Sequence, residues 1–269
     1  MEPISSTDNP HVRLLRALQD ARGRARHRAF LVEGVRLVET AALAARPRVV
    51  LHAPRFGAAD GREAALLRRL ADAGAEVRAV TERVLAHVSD TVTPQGIVAA
   101  VPLPEPVPDQ APTLAVVLDG IGDPGNAGTL LRTAAAVGVE RMLCAPQTVD
   151  VYAPKVVRAA AGAHFAVEIR SASAWADVTA ALASVEQVVL ADARVSRRYW
   201  DVDWSKRSAL IVSNEAHGAS AGAREIATTH VGVPMAPGIE SLNAAVAGSV
   251  ILYEALRQRI SARETETER

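Results

Sequence analysis

Leu118-Asp119-Gly120-Ile121-Gly122-Asp123-Pro124-Gly125-Asn126-Ala127-Gly128-Thr129-Leu130-Leu131-Arg132 carries the chain from an apolar strand at 114–118, through a glycine-rich turn, into a helix expected over 127–137. The same alternation continues downstream. Strands are expected at 141–145, 188–191, 209–212 and 231–233, and helices at 154–161, 174–184 and 243–260. Strands made almost continuously of Val, Leu and Ala, set between amphipathic helices, predict an α/β fold with a parallel sheet covered on both faces. Ligands of such sheets bind where strands give way to loops at their carboxyl ends.

Upstream, prolines at 102, 104, 106, 108 and 112 alternate with small and acidic residues, which favours extended polyproline II and a semi-rigid spacer. A linker over 102–112 therefore divides a domain at 1–101 from one at 113–260. In the first, Asn9 and Pro10 form a helix start leading into Val12, Leu15 and Leu18 at helical spacing. A basic loop is expected at 22–28, then strands at 30–32, 49–53, 77–80 and 97–101, with helices at 36–45 and 62–73: a small α/β sandwich. The tail at 261–269 is charged and apolar-poor and is expected to fray.

The chain has 269 residues, 49% of them apolar, enough for a sizeable core. No apolar run approaches the roughly 20 residues of a membrane span, and the N-terminus is polar and acidic rather than a leader. The single cysteine, Cys144, sits in an apolar stretch as a small hydrophobe and cannot form an internal disulfide. A cytoplasmic protein fits. The seven histidines show no metal-binding spacing, so no metal is implied.

Net charge is zero, but its distribution is uneven. Between His11 and Arg36 stand Arg13, Arg16, Arg22, Arg24, Arg26, Arg28 and Arg36, against only Asp20 and Glu33. Only Lys155 and Lys206 are lysines, so nearly all positive charge lies on planar forks that can clamp phosphate. Arg22, Arg24, Arg26 and Arg28 are thus candidate nucleic-acid phosphate contacts; a compositional habit with a solvated helix face is the other reading.

Gly120-x-Gly122-x-x-Gly125 satisfies a dinucleotide fingerprint in form. Pro124 removes an amide where the pyrophosphate would need one, and Ala145-Pro146-Gln147 stands where a ribose-binding acid belongs. The loop can instead present Asn126 and Arg132 to a polyanion at a helix N-terminus. A second loop, Ile211-Val212-Ser213-Asn214-Glu215-Ala216-His217-Gly218, is followed by Gly218-Ala219-Ser220-Ala221-Gly222, which matches the hydrolase elbow. Residues 214–217 separate it from its strand, however, and the only later histidine is His230. The third loop, from Val233-Pro234-Met235 to Glu240-Ser241-Leu242-Asn243, opens the last helix, with Ser241 a fair cap.

These three loops, together with Lys155-Val156-Val157-Arg158-Ala159-Ala160-Ala161-Gly162-Ala163, resemble the SpoU (TrmH) branch of the knotted SPOUT RNA methyltransferases over the whole of 114–260. Through 5–18 and Phe30-Leu31-Val32-Glu33-Gly34, the front half resembles the family's RNA-binding domain of ribosomal-protein L30e type. The resemblance implies a trefoil knot, a homodimer, and transfer of a methyl group from S-adenosylmethionine to a ribose 2′-hydroxyl. It places cofactor contacts at Ser213, Gly218, Val233, Met235 and Leu242, and catalytic positions at Asn126, Arg132, Glu215, Ser241 and Asn243. The family often has glycine where this chain has Ser213, which puts a side chain near the adenosine.

The residue types suit that chemistry. A ribose hydroxyl is a poor nucleophile, so its proton must be drawn away and its oxygen aligned with the methyl. A guanidinium is an unexpected base. In the family, a substrate phosphate beside this arginine is proposed to help it polarise the hydroxyl, with the other polar residues orienting ribose and phosphate. The N-terminal domain favours ribosomal over transfer RNA by analogy of architecture. A non-catalytic RNA-binding protein of the same fold is the competing class, and intact Arg132, Glu215 and Asn243 speak against it.

Overall fold

A computed structural model describes residues 2–105 and 110–267, with side chains to residue 265. The chain divides into two compact units, Met1–Pro106 with Asp150–Phe165 and Val107–Val149 with Ala166–Arg269. Residues 106–109 of the expected proline linker lie outside the described residues.

In the first unit, helix α1 (Pro10–Ala17) starts as its sequence predicts, with the Asn9 side chain accepting from the His11 amide at 2.9 Å and Pro10 in the first turn. The expected basic loop is instead a helix, α2 (Ala21–His27), capped by Asp20, and its chain leaves through Arg28 in the left-handed region. The correction has a packing cause. Gly23 lies so close to α1 that a Cβ there would stand 1.8 Å from the Ala17 carbonyl oxygen, so contact with α1 holds a segment with no apolar periodicity as helix. Strands β1 (Ala29–Glu33), β2 (Val49–His52), β3 (Glu76–Ala79) and β4 (Ile97–Pro102) form one sheet in the order β1-β4-β2-β3, with only β2 and β3 parallel. Helices α3 (Val35–Ala44), α4 (Arg62–Asp72) and α5 (Glu82–Val88) complete the sandwich; α5 carries no signal strong enough to have been expected.

Residues 150–165, which the sequence order assigns to the second domain, pack with this first unit. They hold helix α7 (Pro154–Ala160) and a 3-10 turn (Ala163–Phe165). Val157 joins the first unit's core, and the Phe30 ring lies 5.1 Å from that of Tyr152 and 5.9 Å from that of His164. Arg24 is buried here: its guanidinium donates to Asp150 and to the Leu18 and Gln19 carbonyls.

The second unit follows the expected alternation. Its strands are β5 (Leu114–Asp119), β6 (Arg141–Cys144), β7 (Glu168–Ser171), β8 (Gln187–Ala191), β9 (Ser208–Ser213) and β10 (Thr229–Val231), forming a wholly parallel sheet in the order β10-β8-β9-β5-β6-β7. β7 was not expected, and β10 ends two residues early because Gly232 pairs with residues 197–199 instead. Helices α6 (Pro124–Ala136), α8 (Trp175–Ala181), α9 (Ala221–Ile226) and α10 (Ala244–Thr267) connect and cover the strands. The tail does not fray at 261: α10 runs on to Thr267, since no Gly or Pro follows Gly248 within it and the Thr265 hydroxyl donates to the Ser261 carbonyl at 3.0 Å. No helix among the described residues is long and apolar enough to cross a membrane.

His164 gives the first unit a pH signature. Its Nε2 donates to the Val151 carbonyl at 2.7 Å, its Nδ1 has no partner, and burial lowers its pKa to about 4 from the usual 6.5. The folded state thus favours the neutral ring. Its contribution is fully present above pH 6.5 and is lost as pH falls toward 4. Chemical denaturation of His164→Phe should show a weaker loss of stability between pH 7 and 4.5, by up to about 3 kcal/mol. An identical loss in the variant would sink this explanation.

Candidate functional site

Parallel pairing of β5 with β9 sets Asp119 opposite Ser213, so both strands deliver their loops side by side. The buried Asp119 carboxylate then ties them together: one oxygen accepts from the Ser213 hydroxyl at 2.8 Å and from the Ser220 amide at 2.8 Å. Ser213 therefore turns its hydroxyl toward β5 while lining the cavity described below. Asn214 continues the tie, donating to the Gly120 carbonyl at 2.9 Å and accepting from the Ala216 amide at 2.8 Å. The turn closes at Gly218, which takes φ +67°, a conformation that favours glycine.

On α6 the Asp123 side chain accepts from the Asn126 amide, making a cap with Pro124 in the first turn. Asn126 is thereby aimed at the second loop. Its Nδ2 donates to Glu215 Oε1 at 2.9 Å, and its Oδ1 accepts from Asn243 Nδ2 at 2.9 Å. Glu215 Oε1 also accepts from the Ala244 amide at 2.6 Å, placing its charge at the amino end of α10. Asn243 itself accepts from the Val246 amide at 3.1 Å, so it and Glu215, rather than the expected Ser241, satisfy the first amides of α10. Asn126, Glu215 and Asn243 thus form one network from three separate loops.

Beside it lies a cavity of about 500 Å³, within the range of nucleoside-sized ligand sites. Ser213, Gly218, Val233, Met235 and Leu242 all line it, as do Glu215 and Ser241. Its lining combines apolar side chains with Asp192, Glu215 and Glu240 and with Arg194 and Arg224, so it can hold a nucleoside that carries charged groups. Asp192 lines the same cavity and was not foreseen, although it is the first residue after β8 at a strand's carboxyl end, where ligands of parallel sheets bind. The Arg194 guanidinium, 3.1 Å away, holds the Asp192 carboxyl below the usual carboxylate range. Among the described residues, no cluster of three His, Cys, Asp or Glu side chains could hold a metal ion.

Arg132 is exposed on α6 and makes no hydrogen bond or ion pair among the described residues. Six residues beyond Asn126, it stands about 120° round the helix and about 9 Å along it, so it does not join the Asn126 network. Of the basic segment, Arg22, Arg26 and Arg28 are exposed, whereas Arg24 is corrected to a structural residue because its guanidinium is buried and fully bonded. Ser220 is no nucleophile: its oxygen accepts from the Ala223 amide as the cap of α9, and Gly222 lies under Trp175.

Residues 113–253 match the SpoU rRNA Methylase family, and residues 9–99 match the MRM3-like substrate binding domain. The chain is 33% identical over 262 residues to an uncharacterised tRNA/rRNA methyltransferase of Synechocystis, covering 96% of this chain and 95% of that protein. It is 29% identical over 255 residues to the 23S rRNA (guanosine(2553)-2′-O)-methyltransferase RlmP of Bacillus subtilis, covering 94% and 98%. Its fold is similar to that of the SpoU methyltransferase AviRb from Streptomyces viridochromogenes in complex with AdoMet, with a TM-score of 0.82, 30% identity and coverage of 94% and 99%.

Removing the Asp119 carboxylate leaves the Ser213 hydroxyl and Ser220 amide without their partner and frees the second loop. Asp119→Ala should keep its fold by circular dichroism and bind S-adenosylmethionine roughly tenfold more weakly by calorimetry, about 1.4 kcal/mol. Wild-type affinity in that variant would show that the tie does not shape the cavity.

Proposed function

Because this chain belongs to the SpoU rRNA methylase family, and so methylates a ribose 2′-hydroxyl of ribosomal RNA with S-adenosylmethionine, we propose that transfer occurs where the three loops of the second unit meet. One observation carries this reading: Asn126, Glu215 and Asn243 are bonded together at the rim of the cavity that Ser213, Gly218, Val233, Met235 and Leu242 line. Those five residues would hold the cofactor. When bound, it supplies an electrophilic methyl group on sulfur and leaves as S-adenosylhomocysteine.

The chain's own residues prepare the hydroxyl. Asn126, Glu215 and Asn243 orient the ribose and its flanking phosphate, and Ser241, on the same cavity wall, aligns the reacting oxygen. Arg132, with a substrate phosphate beside it, polarises the O–H bond so that the proton passes to solvent water as the oxygen–carbon bond forms. The angle of Arg132 on α6 directs it away from its own subunit's network, so in this reading it serves the cleft of a second copy. Val246, Tyr253 and Ile260, exposed at seven-residue intervals on α10, supply one apolar face for such a homodimer. A trefoil-knotted path and a cytoplasmic setting complete the proposal.

Arg132→Ala should abolish methylation while S-adenosylmethionine affinity stays within a few-fold. Mixing it with equally inactive Glu215→Ala subunits should restore about a quarter of wild-type activity, because half of random dimers carry one intact site. No recovery on mixing would place Arg132 in its own subunit's cleft or outside the reaction.

Arg22, Arg26 and Arg28 are proposed to contact RNA phosphates from the first unit, with Arg26 in a recess it shares with Arg13, Arg16, His27 and His87. Replacing the three with glutamine should weaken RNA binding and flatten its dependence on salt, by about one unit of log–log slope for each phosphate no longer neutralised. An unchanged slope would return them to a solvated helix face.

A further inference from the structure

We infer that Trp200 and Arg198 form a stacking platform for an unpaired base of the RNA substrate, beside the cofactor cavity. This rests on the ribose-methylation reading above.

The chain is poor in aromatic residues, with three each of Trp, Tyr and Phe, and two of these, Trp204 and Phe30, are wholly buried. Trp200 keeps 40% of its surface exposed. The Arg198 guanidinium carbon lies 5.5 Å from its ring centroid, and the Tyr199 ring stands edge-on at 4.8 Å. A guanidinium against an indole is a surface on which a nucleobase of any sequence can stack, since every base has a π-face. The charge is available. Neither Arg197 nor Arg198 makes a side-chain ion pair or hydrogen bond among the described residues, and the neighbouring Asp201 carboxylate is engaged by the Arg198 amide at 3.3 Å.

The platform is held rigidly at the cavity's edge. Gly232 donates to the Arg197 carbonyl at 2.8 Å, and the Tyr199 amide donates to the Gly232 carbonyl at 3.2 Å. Gly232 must be glycine, because a Cβ would stand 2.7 Å from the Val195 carbonyl oxygen. The next residue, Val233, is a wall of the cofactor cavity. From below, the buried Trp204 donates its indole N–H to the Tyr199 carbonyl at 2.8 Å. The segment that carries the ring pair is therefore tied by backbone hydrogen bonds to Gly232, the residue that precedes a wall of the cavity. A ribose presented there carries neighbouring bases that must be unpaired to be reached, and RNA recognition favours aromatic and arginine planes for such bases.

The test uses the full chain, with ribosomal RNA purified from cells lacking the protein. Trp200→Ala should raise KM for that RNA about tenfold while kcat and S-adenosylmethionine affinity change less than twofold, and Trp200→Phe should recover most of the loss. A short oligoadenylate should quench tryptophan emission of the wild type and not of Trp200→Phe, a comparison that holds even if the alanine variant fails to fold. An unchanged KM in the alanine variant, or equal quenching in the phenylalanine variant, overturns the platform. So does a shift of Trp200→Ala to a smaller species in sedimentation, which would assign the ring to a contact between copies. If the wild type itself transfers no methyl group to ribosomal RNA, the ribose-methylation reading fails instead.

Discussion

In-register pairing of β5 with β9, from Leu114 opposite Ser208 to Asp119 opposite Ser213, brings two loops distant in sequence to one point at the sheet's carboxyl edge. Both strands lie centrally and are buried on both faces, so the register is strongly specified: a slip of one residue would turn every side chain to the opposite face. Every later contact of the site inherits that register. Asp119 can receive Ser213 and Ser220 only because they arrive beside it, and Asn214 can reach the Gly120 carbonyl for the same reason.

The second requirement is the seat of α10. At Gly248 an added Cβ would stand 2.6 Å from the Leu130 side chain of α6 and 2.9 Å from that of Val212 in β9, so only glycine lets the helix lie this close. One residue on, the Ser249 and Thr133 hydroxyls meet at 2.8 Å. Close seating of α10 on α6 is what allows Asn243 to reach Asn126, and it sets the helix's free amide where Glu215 can receive it. A carboxylate at that end interacts favourably with the helix dipole, so the same contact positions a polar network and starts a helix.

Most strands were legible to within a residue or two because near-continuous apolar runs between glycine-rich turns have few other solutions. The three loops were legible as a group, by their place at strand ends. What was hidden depends on distant partners. Nothing local marks Arg22 to His27 as helical; contact between Gly23 and Ala17 does that, and burial of Arg24 against Asp150 removes it from the surface set. The packing of residues 150–165 with the first unit is equally silent in the sequence, since an Ala- and Val-rich helix between two strands reads as an ordinary crossover. Ser241 and Asn243 are both good caps by type, and only the reach of Glu215 to Ala244 decides between them. Arg132 could be named from its motif, but the face it occupies follows from where α6 begins.

Charge shows the same division between local type and assembled role. A chain with equal numbers of acids and bases gives no overall field, and its positive side chains are almost all arginine. Many of these are architectural forks. Arg141, buried, grips Glu168 and the Gln110 and Ala181 carbonyls; Arg259 grips the Trp204, Lys206 and Thr113 carbonyls. Such residues satisfy backbone oxygens at loop ends, so much of the arginine content is held by the fold itself. Against that background the informative arginines are found among those whose side chains make no hydrogen bond or ion pair among the described residues, a set that includes Arg22 and Arg26 on α2, Arg132 on α6, and Arg197 and Arg198 next to Gly232. A solvated guanidinium costs little to leave unpaired and gains most when an anion arrives. In a neutral protein whose substrate is a polyanion, functional charge is therefore found by subtracting the arginines the fold already holds.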